Sequence, residues 1–125
     1  MKRLFIFLAA AMMAAGVMAT EYIGSMQMAS GYTLDDVRVS IDEQGNMTLY
    51  RVKFARMMPV RVDVIIPQIN CDNGQLNGES IIPLMNNKQK PERIITNLHG
   101  TADKQSIDFN CLIGGKEMHY NGTAK

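Results

Sequence analysis

Two cysteines are the first residues of this sequence whose chemistry could matter, and they allow two interpretations. Cys71 and Cys111 lie 40 positions apart. In an oxidising compartment they could form a disulfide, which for a loop of this length would stabilise the fold by about 4 kcal/mol. Cys111 also alternates with apolar residues, as a buried free thiol does. We predict a Cys71–Cys111 disulfide, with two buried thiols as the alternative. A catalytic thiol is not indicated, because neither cysteine follows a helix start or a basic cluster.

The two histidines, His99 and His119, raise the question of a metal site. A catalytic zinc site needs three well-placed protein ligands. Each histidine alternates with apolar neighbours along its segment. This pattern places both imidazoles on the solvent face of a strand. We therefore predict surface histidines and no metal site, although neighbouring hairpin strands could bring the two together.

Other catalytic patterns are missing from the sequence. Asp35 and Asp36 are adjacent carboxylates, but they are expected to organise a turn through their own hydrogen bonds. The sequence has no G-x-S-x-G nucleophile motif and no glycine-rich phosphate loop. We predict a protein that is not an enzyme, with no catalytic residues and no cofactor.

Methionine is the unusual feature of the composition. Seven methionines lie among the 106 residues that follow position 19. Flexible, polarizable methionines suit either an adaptable apolar surface or a filled core. If they line a binding site, eight residues are expected to contribute: Met26, Met28, Tyr50, Val52, Phe54, Phe109, Met118 and Tyr120.

A short basic stretch surrounds two of these methionines. Arg51, Lys53, Arg56 and Arg61 flank the Met57-Met58 pair. Such a stretch could attract an anionic head group or partner, or it could form an ordinary solvated face.

Strands must position all of these side chains. Apolar and polar residues alternate with a period of two, for example at Val37, Val39 and Ile41, and turn residues separate the runs. Short strands with tight turns favour an antiparallel meander, which removes its exposed edges by closing into a barrel. The predicted fold is all-β, an eight-stranded antiparallel up-and-down barrel. A two-sheet sandwich is the competing architecture, but it would usually need longer connections than these. The predicted strands of the barrel are 21–29, 36–42, 46–55, 60–66, 74–83, 93–100, 105–113 and 116–124.

With the strands placed, the chain resembles the calycin-like β-barrel domains of exported bacterial proteins, relatives of the lipocalins. The resemblance implies a calycin-like barrel over 20–125 and no established catalytic residues. It rests on Tyr22-x-Gly24, on Gly45-Asn46-Met47-Thr48-Leu49-x-x-Val52-x-Phe54, on Val60-x-Val62-x-Val64, on Gly74-Gln75-Leu76-Asn77-Gly78, on Asn97-Leu98-x-Gly100-x-Ala102 with Ser106-Ile107-Asp108-Phe109, and on Met118-x-Tyr120-x-Gly122.

The first nineteen residues have the pattern of a secretory signal peptide. Lys2 and Arg3 precede an apolar run, and Val17-Met18-Ala19 fits a cleavage site after Ala19. The apolar stretch is shorter than the roughly 20 residues of a membrane span. We predict a signal peptide at 1–19, export by the general secretory route to the periplasm or the exterior, and no transmembrane span in the mature chain.

The mature chain is nearly neutral. Without Lys2 and Arg3, eleven lysines and arginines against twelve aspartates and glutamates leave a net charge of −1. This balance argues against a nucleic-acid partner. The favoured hypothesis is an exported, non-enzymatic small β-barrel that binds a small apolar or amphipathic ligand. The alternative is a structural or interaction module with a filled barrel, whose partner is another exported protein.

Overall fold

The computed structural model describes residues 20–125, in which every strand belongs to one antiparallel sheet. The predicted signal peptide lies outside the described residues. The eleven strands are β1 Thr20–Met28, β2 Thr33–Ile41, β3 Met47–Val52, β4 Val62–Ile66, β5 Asn70–Asp72, β6 Gln75–Gly78, β7 Leu84–Met85, β8 Lys88–Gln89, β9 Ile95–Ala102, β10 Ser106–Ile113 and β11 Lys116–Ala124. A 3₁₀ turn at Pro91–Arg93 precedes β9.

The sheet curls into a half-barrel with the order β5-β6-β9-β10-β11-β1-β2-β3-β4-β7-β8. β1 lies at its centre and pairs with both β2 and β11. The chain between β6 and β9 reaches across the opening, because Ile81 forms a bridge with Ile95 while Leu84 and Met85 pair with β4. The segment between β6 and β9 therefore faces the concave side of the sheet.

The all-β prediction is confirmed, but the closed eight-stranded barrel is wrong. Seven of the eight predicted strands correspond to long strands of the sheet, with ends shifted by a few residues. The predicted 74–83 strand ends at Gly78. Pro83 has no N–H to donate to a ladder, and left-handed Asn86 and Asn87 turn the chain into the two-residue pairs of β7 and β8. These interruptions leave a discontinuous edge where an eighth long strand would have closed the barrel.

Three β-bulges set the curvature and the direction of nearby side chains. Each contains a non-glycine residue with positive φ: Asp36 in β2, Arg51 in β3 and Asn97 in β9. A bulge adds one residue to a strand, which increases its twist and changes which face the next side chain occupies. Asp35 and Asp36 thus lie in a bulged strand, and the predicted turn at this position is wrong.

Carboxylates satisfy two of the bulged backbone groups. Asp63 Oδ1 accepts the Arg51 N–H at 2.8 Å, and Glu79 Oε2 accepts the Asn97 N–H at 3.0 Å. A side-chain acceptor of this kind replaces the ladder bond that a bulge removes.

The core is apolar, and no polar or charged side chain among residues 20–125 is buried in it. Phe109 and Tyr120 lie at its centre, with ring centroids 5.6 Å apart. The Tyr120 hydroxyl donates a hydrogen bond to the Val37 carbonyl at 2.7 Å, which ties β11 to β2 across the interior. Gly100 lies opposite Phe109, and a Cβ there would collide with the Asp108 carbonyl oxygen and with Phe109 Cα and Cβ.

Asp42 organises the turn between β2 and β3. Its Oδ1 accepts the backbone N–H groups of Gln44 and Asn46, both at 2.9 Å, and its Oδ2 accepts Asn46 Nδ2 at 3.1 Å. The same turn also binds the β4–β5 connection, because Gly45 O accepts the Ile69 N–H at 2.9 Å. The Asp42 carboxylate thus stabilises the turn that binds the β4–β5 connection, where the chain passes to the opposite edge of the sheet.

Replacement of Asp42 by alanine is expected to lower the free energy of unfolding by about 1–2 kcal/mol, because several backbone donors lose their acceptor. Burial raises the pKa of Asp42, but the hydrogen bonds from Asn46 and Gln44 outweigh it, so the pKa lies below the ordinary value of 3.8. The contribution is therefore present at neutral pH and is lost as the pH falls through the folded-state pKa.

Urea unfolding of D42A at neutral and acid pH measures this effect. E43A is the matched control, because Glu43 is an exposed carboxylate in the same turn. Equal stability of D42A and E43A at neutral pH would contradict the role assigned to Asp42.

Candidate functional site

The interior of the half-barrel contains seven of the eight residues predicted to line a binding site. Met26, Val52, Phe109 and Tyr120 are fully buried, and Met28, Phe54 and Met118 are nearly so. They belong to one continuous cluster of buried hydrophobic residues. These side chains pack against one another, as the interior of a small barrel does when side chains fill it.

Tyr50 lies elsewhere, and its assignment to the apolar lining is wrong. The bulge at Arg51 interrupts the alternation of β3, so Tyr50 faces outward while Val52 faces the core. The Tyr50 hydroxyl lies 2.9 Å from Ser40 Oγ, and the Arg38 guanidinium stacks 4.5 Å above the Tyr50 ring. Tyr50 therefore belongs to the polar outer face.

The predicted Cys71–Cys111 disulfide is also wrong, because both cysteines are free. Cys71 lies in the edge strand β5 and Cys111 in β10, with β6 and β9 between them in the sheet. Three strand spacings of about 4.8 Å separate these two strands, which exceeds the reach of a disulfide. Burial raises the pKa of both thiols, that of Cys111 to about 12.

Thiol titration is expected to find two reactive groups per chain in denatured, unreduced protein. In the native protein, half-buried Cys71 should react well before Cys111, since the thiolate is the reactive form and Cys111 is buried. The C71S and C111S variants assign the two phases of the reaction. Absence of titratable thiols in the denatured protein would contradict the structure.

Both histidines lie on the outer face, as the sequence predicts, and the sheet brings them into one row. His119 pairs with Asn110, which pairs on its other side with His99, while Gln27 pairs with His119. A groove of about 370 Å³ runs along this row, and Glu117 also lines it. Asn97, at the bulge of β9, lies on the same outer face and lines the groove as well.

A hydrogen-bonded group of three side chains borders this groove. Asp108 Oδ1 lies 3.0 Å from His119 Nε2, and Asp108 Oδ2 accepts Asn121 Nδ2 at 2.8 Å. Burial raises the pKa of Asp108, but the hydrogen bonds from Asn121 and His119 outweigh it and hold the pKa below its ordinary value. The carboxylate thereby orients His119.

This groove offers hydrogen-bonding groups but no assembled metal site. Within residues 20–125, no three His, Cys, Asp or Glu side chains form a set that could hold a metal ion. Asn97 O lies 2.9 Å from His99 Nδ1, so each imidazole already has a protein partner through one nitrogen.

The second surface feature is a loop that displays apolar side chains among cations. We call residues 51–61, the end of β3 and its connection to β4, the basic loop. Met57 is 90% exposed and Val60 is 60% exposed, the two most exposed of the large hydrophobic residues described. The loop contains Arg51, Lys53, Arg56 and Arg61 and no acidic residue.

The basic loop is anchored at its base. Phe54 is buried in the core, and its N–H contacts the Met58 sulfur at 3.2 Å. Met58 packs against the core, and its own N–H donates to Ala55 O at 3.1 Å. The anchored pair Phe54 and Met58 thereby fixes Met57 pointing away from the protein.

The cations of the basic loop are held close to its backbone. Lys53 Nζ donates to Arg56 O and Arg61 Nη1 donates to Arg51 O, both at 3.3 Å. Within residues 20–125, the ion pairs join Asp108 with His119 and Glu21 with Lys125, so no loop cation is neutralised by a salt bridge. Asp63, the first acidic residue after the loop in sequence, accepts the Arg51 backbone N–H.

The sequence indicates part of this surface. It singles out the four cations and Met57-Met58, but it predicts Val60 as an inward residue of a strand. The strand begins only at Val62, because Pro59 lacks a ladder donor and the chain remains irregular up to Arg61. The exposure of Val60 is therefore a finding of the structure, and Pro59 is the signal that could have revealed it.

Comparisons with models of protein families, with curated proteins and with solved structures found no match to the chain. Within residues 20–125, no helix has the length and apolar character needed to cross a bilayer.

Proposed function

We propose that this protein is an exported, non-enzymatic binding module whose basic loop binds an anionic amphipathic ligand. The observation that carries the proposal is the exposure of Met57 and Val60 among four cations that form no salt bridge. An anionic head group would meet the cations and an alkyl chain would meet the two apolar side chains. The filled half-barrel acts as the rigid support of the loop.

The position of the site differs from the one that the sequence suggests. A lipocalin-like binder holds its ligand inside the barrel, in a cavity of roughly 300 Å³ or more. Met26, Phe109 and Tyr120 occupy that region with their own packed side chains. This packing supports an outer binding surface in preference to an inner one.

Kinship with calycin-like domains and export by the secretory route are further parts of the proposal. The first is supported by the sequence motifs and by the antiparallel all-β character of the sheet, although the sheet is open. The second is supported by the pattern of residues 1–19. An exported protein would meet anionic amphiphiles at the surface of an envelope.

A second candidate function is a protein-interaction module that binds no lipid. The filled core favours it, and the same basic loop would then contact an acidic surface of another exported protein. The two candidates differ in what they require of the ligand: the first needs an alkyl chain as well as a negative charge.

Calorimetric titration with two short-chain lipids tests the first candidate. Dihexanoyl phosphatidylglycerol and dihexanoyl phosphatidylcholine carry the same acyl chains and dissolve as monomers below their micelle concentrations, but only the former has a net negative charge. We expect the anionic lipid to bind at least tenfold more tightly, and its affinity to fall with added salt because exposed charges are screened.

The variant K53Q/R56Q is compared with the matched control K104Q/K116Q, which removes one cation from the β9–β10 connection and one from the start of β11, away from β3 and β4 in the sheet. Only the loop variant is expected to lose the preference for the anionic lipid. Equal, salt-independent affinity for both lipids would contradict the proposal and would favour an apolar site inside the half-barrel.

A further inference from the structure

We infer that the partner of the basic loop is the surface of an anionic lipid bilayer, into which Met57 and Val60 insert. This inference rests on the proposed function and names the physical form of the ligand. A dispersed amphiphile and a bilayer share the same head-group chemistry, but only a bilayer presents a flat interface that a protruding loop can enter.

The shape of the loop is the first argument for a bilayer. Met57 is 90% exposed, so it stands on a convex tip and does not line a groove. A single small ligand is normally held in a concave site that covers most of its surface. A dispersed lipid therefore covers only part of a convex tip and binds it weakly, whereas a bilayer can bury the whole tip in the boundary between head groups and acyl chains.

The arrangement of charge is the second argument. Lys53 and Arg56 precede the tip, and Arg61 follows it. The hydrogen bond of Lys53 to Arg56 O keeps its ammonium next to the residue that precedes Met57, and the bond of Arg61 to Arg51 O keeps its guanidinium at the base of the loop. When Met57 and Val60 enter a bilayer, the cations would lie at the level of the phosphates, where each basic residue adds to the attraction.

The rigidity of the loop is the third argument. Phe54 and Met58 anchor it in the core, and Pro59 fixes the backbone φ between Met58 and Val60. A pre-ordered loop loses little conformational freedom on binding. The energetic cost of exposing Met57 in solution is then recovered when the tip enters an apolar medium.

The predicted binding is weak and reversible. Two aliphatic side chains and a few cations give less membrane affinity than two covalent lipid anchors, which stable attachment needs. We therefore expect the protein to exchange between the lipid surface and solution, with an equilibrium set by salt and by the content of anionic lipid.

Vesicle co-sedimentation tests the inference, with protein expressed as the full chain and recovered after export. The vesicles contain either phosphatidylcholine alone or phosphatidylcholine with phosphatidylglycerol. The tip variant M57S/V60S is compared with I23S/I82S, which removes two apolar side chains that are 38% and 37% exposed at other positions. All proteins share the same amino terminus, so a difference between the variants reports on the loop.

We expect the wild-type protein and I23S/I82S to bind the anionic vesicles and not the neutral ones. The tip variant should bind the anionic vesicles about 10–100-fold more weakly, since transfer of each aliphatic side chain out of water is worth about tenfold. Circular dichroism of both variants is expected to match that of the wild type, because all four substituted side chains are on the surface.

Four outcomes would overturn the inference. If dihexanoyl phosphatidylglycerol binds but anionic vesicles do not, the bilayer is wrong and the proposed function stands. If neither binds, both fall. If the tip variant binds vesicles as tightly as the wild type, or if poly-glutamate displaces the protein from them at equal charge concentration, insertion is wrong and an acidic protein partner is favoured.

Discussion

Replacement of Phe109 by alanine is expected to lower the free energy of unfolding by about 3–5 kcal/mol, the range for buried aromatic residues truncated to alanine. Phe109 is fully buried, its ring packs beside that of Tyr120, and its Cα and Cβ lie directly against Gly100. Small domains are stable by only about 5–15 kcal/mol. The variant should therefore populate the unfolded state measurably at room temperature.

Urea unfolding followed by circular dichroism measures this loss. L112A is the matched control, because Leu112 lies in the same strand but on its outer, half-exposed side. We expect L112A to lower the free energy of unfolding far less than F109A does. A second variant, Y120F, removes only the hydroxyl that donates to the Val37 carbonyl. It should lower the free energy of unfolding by about 1 kcal/mol. If F109A and L112A had equal stabilities, the packing assigned to the interior would be wrong.

Removal of the four basic-loop cations is expected to have the largest effect on function. The variant R51Q/K53Q/R56Q/R61Q should bind anionic vesicles about 10³-fold more weakly, because each basic residue near an anionic surface contributes about 1 kcal/mol. The four substituted side chains form no salt bridge within residues 20–125, and the core contacts of Phe54 and Met58 are kept, so the free energy of unfolding should change little.

The control for this variant must carry the same change in net charge. K90Q/K104Q/K116Q/K125Q removes four cations at positions outside the basic loop and is expected to lose only the small part of the affinity that net charge provides. If both quadruple variants lost the same affinity, binding would depend on total charge, and the basic loop would have no special role.

The strand pattern was readable from the sequence wherever a strand is regular. Ile107, Phe109, Cys111 and Ile113 alternate with polar residues in β10, and all four are buried. Period-two alternation predicts a buried face reliably when a ladder continues unbroken on both sides. The outward direction of His99 and His119 follows from the same rule and is confirmed.

The errors arise where the alternation is interrupted. Tyr50 was predicted inward because its spacing to Val52 fits a regular strand, but the left-handed Arg51 between them forms a bulge. A bulge depends on a partner, here the Asp63 carboxylate that accepts the Arg51 N–H, and Asp63 is twelve positions away. Local sequence carries little information about such a contact.

The order of strands in the sheet cannot be predicted from the local sequence pattern either. The disulfide prediction assumed that Cys71 and Cys111 meet, whereas β6 and β9 separate their strands. The prediction of a closed barrel is wrong for a related reason, because Pro83 and the Asn86-Asn87 turn leave only short strand pairs where a long strand was expected. Strand order and closure depend on long-range contacts that alternation does not encode.

Methionine methyl groups can report most directly whether the ligand binds at the basic loop or inside the half-barrel. Met57 is exposed at the tip, whereas Met26, Met47 and Met118 are buried in the core. In protein labelled with ¹³C at the methionine methyls, dihexanoyl phosphatidylglycerol is added while the spectrum is followed. We predict that the Met57 signal shifts progressively and that the three core signals remain in place. Shifts of the core signals with an unchanged Met57 signal would contradict the account and would place the ligand inside the half-barrel.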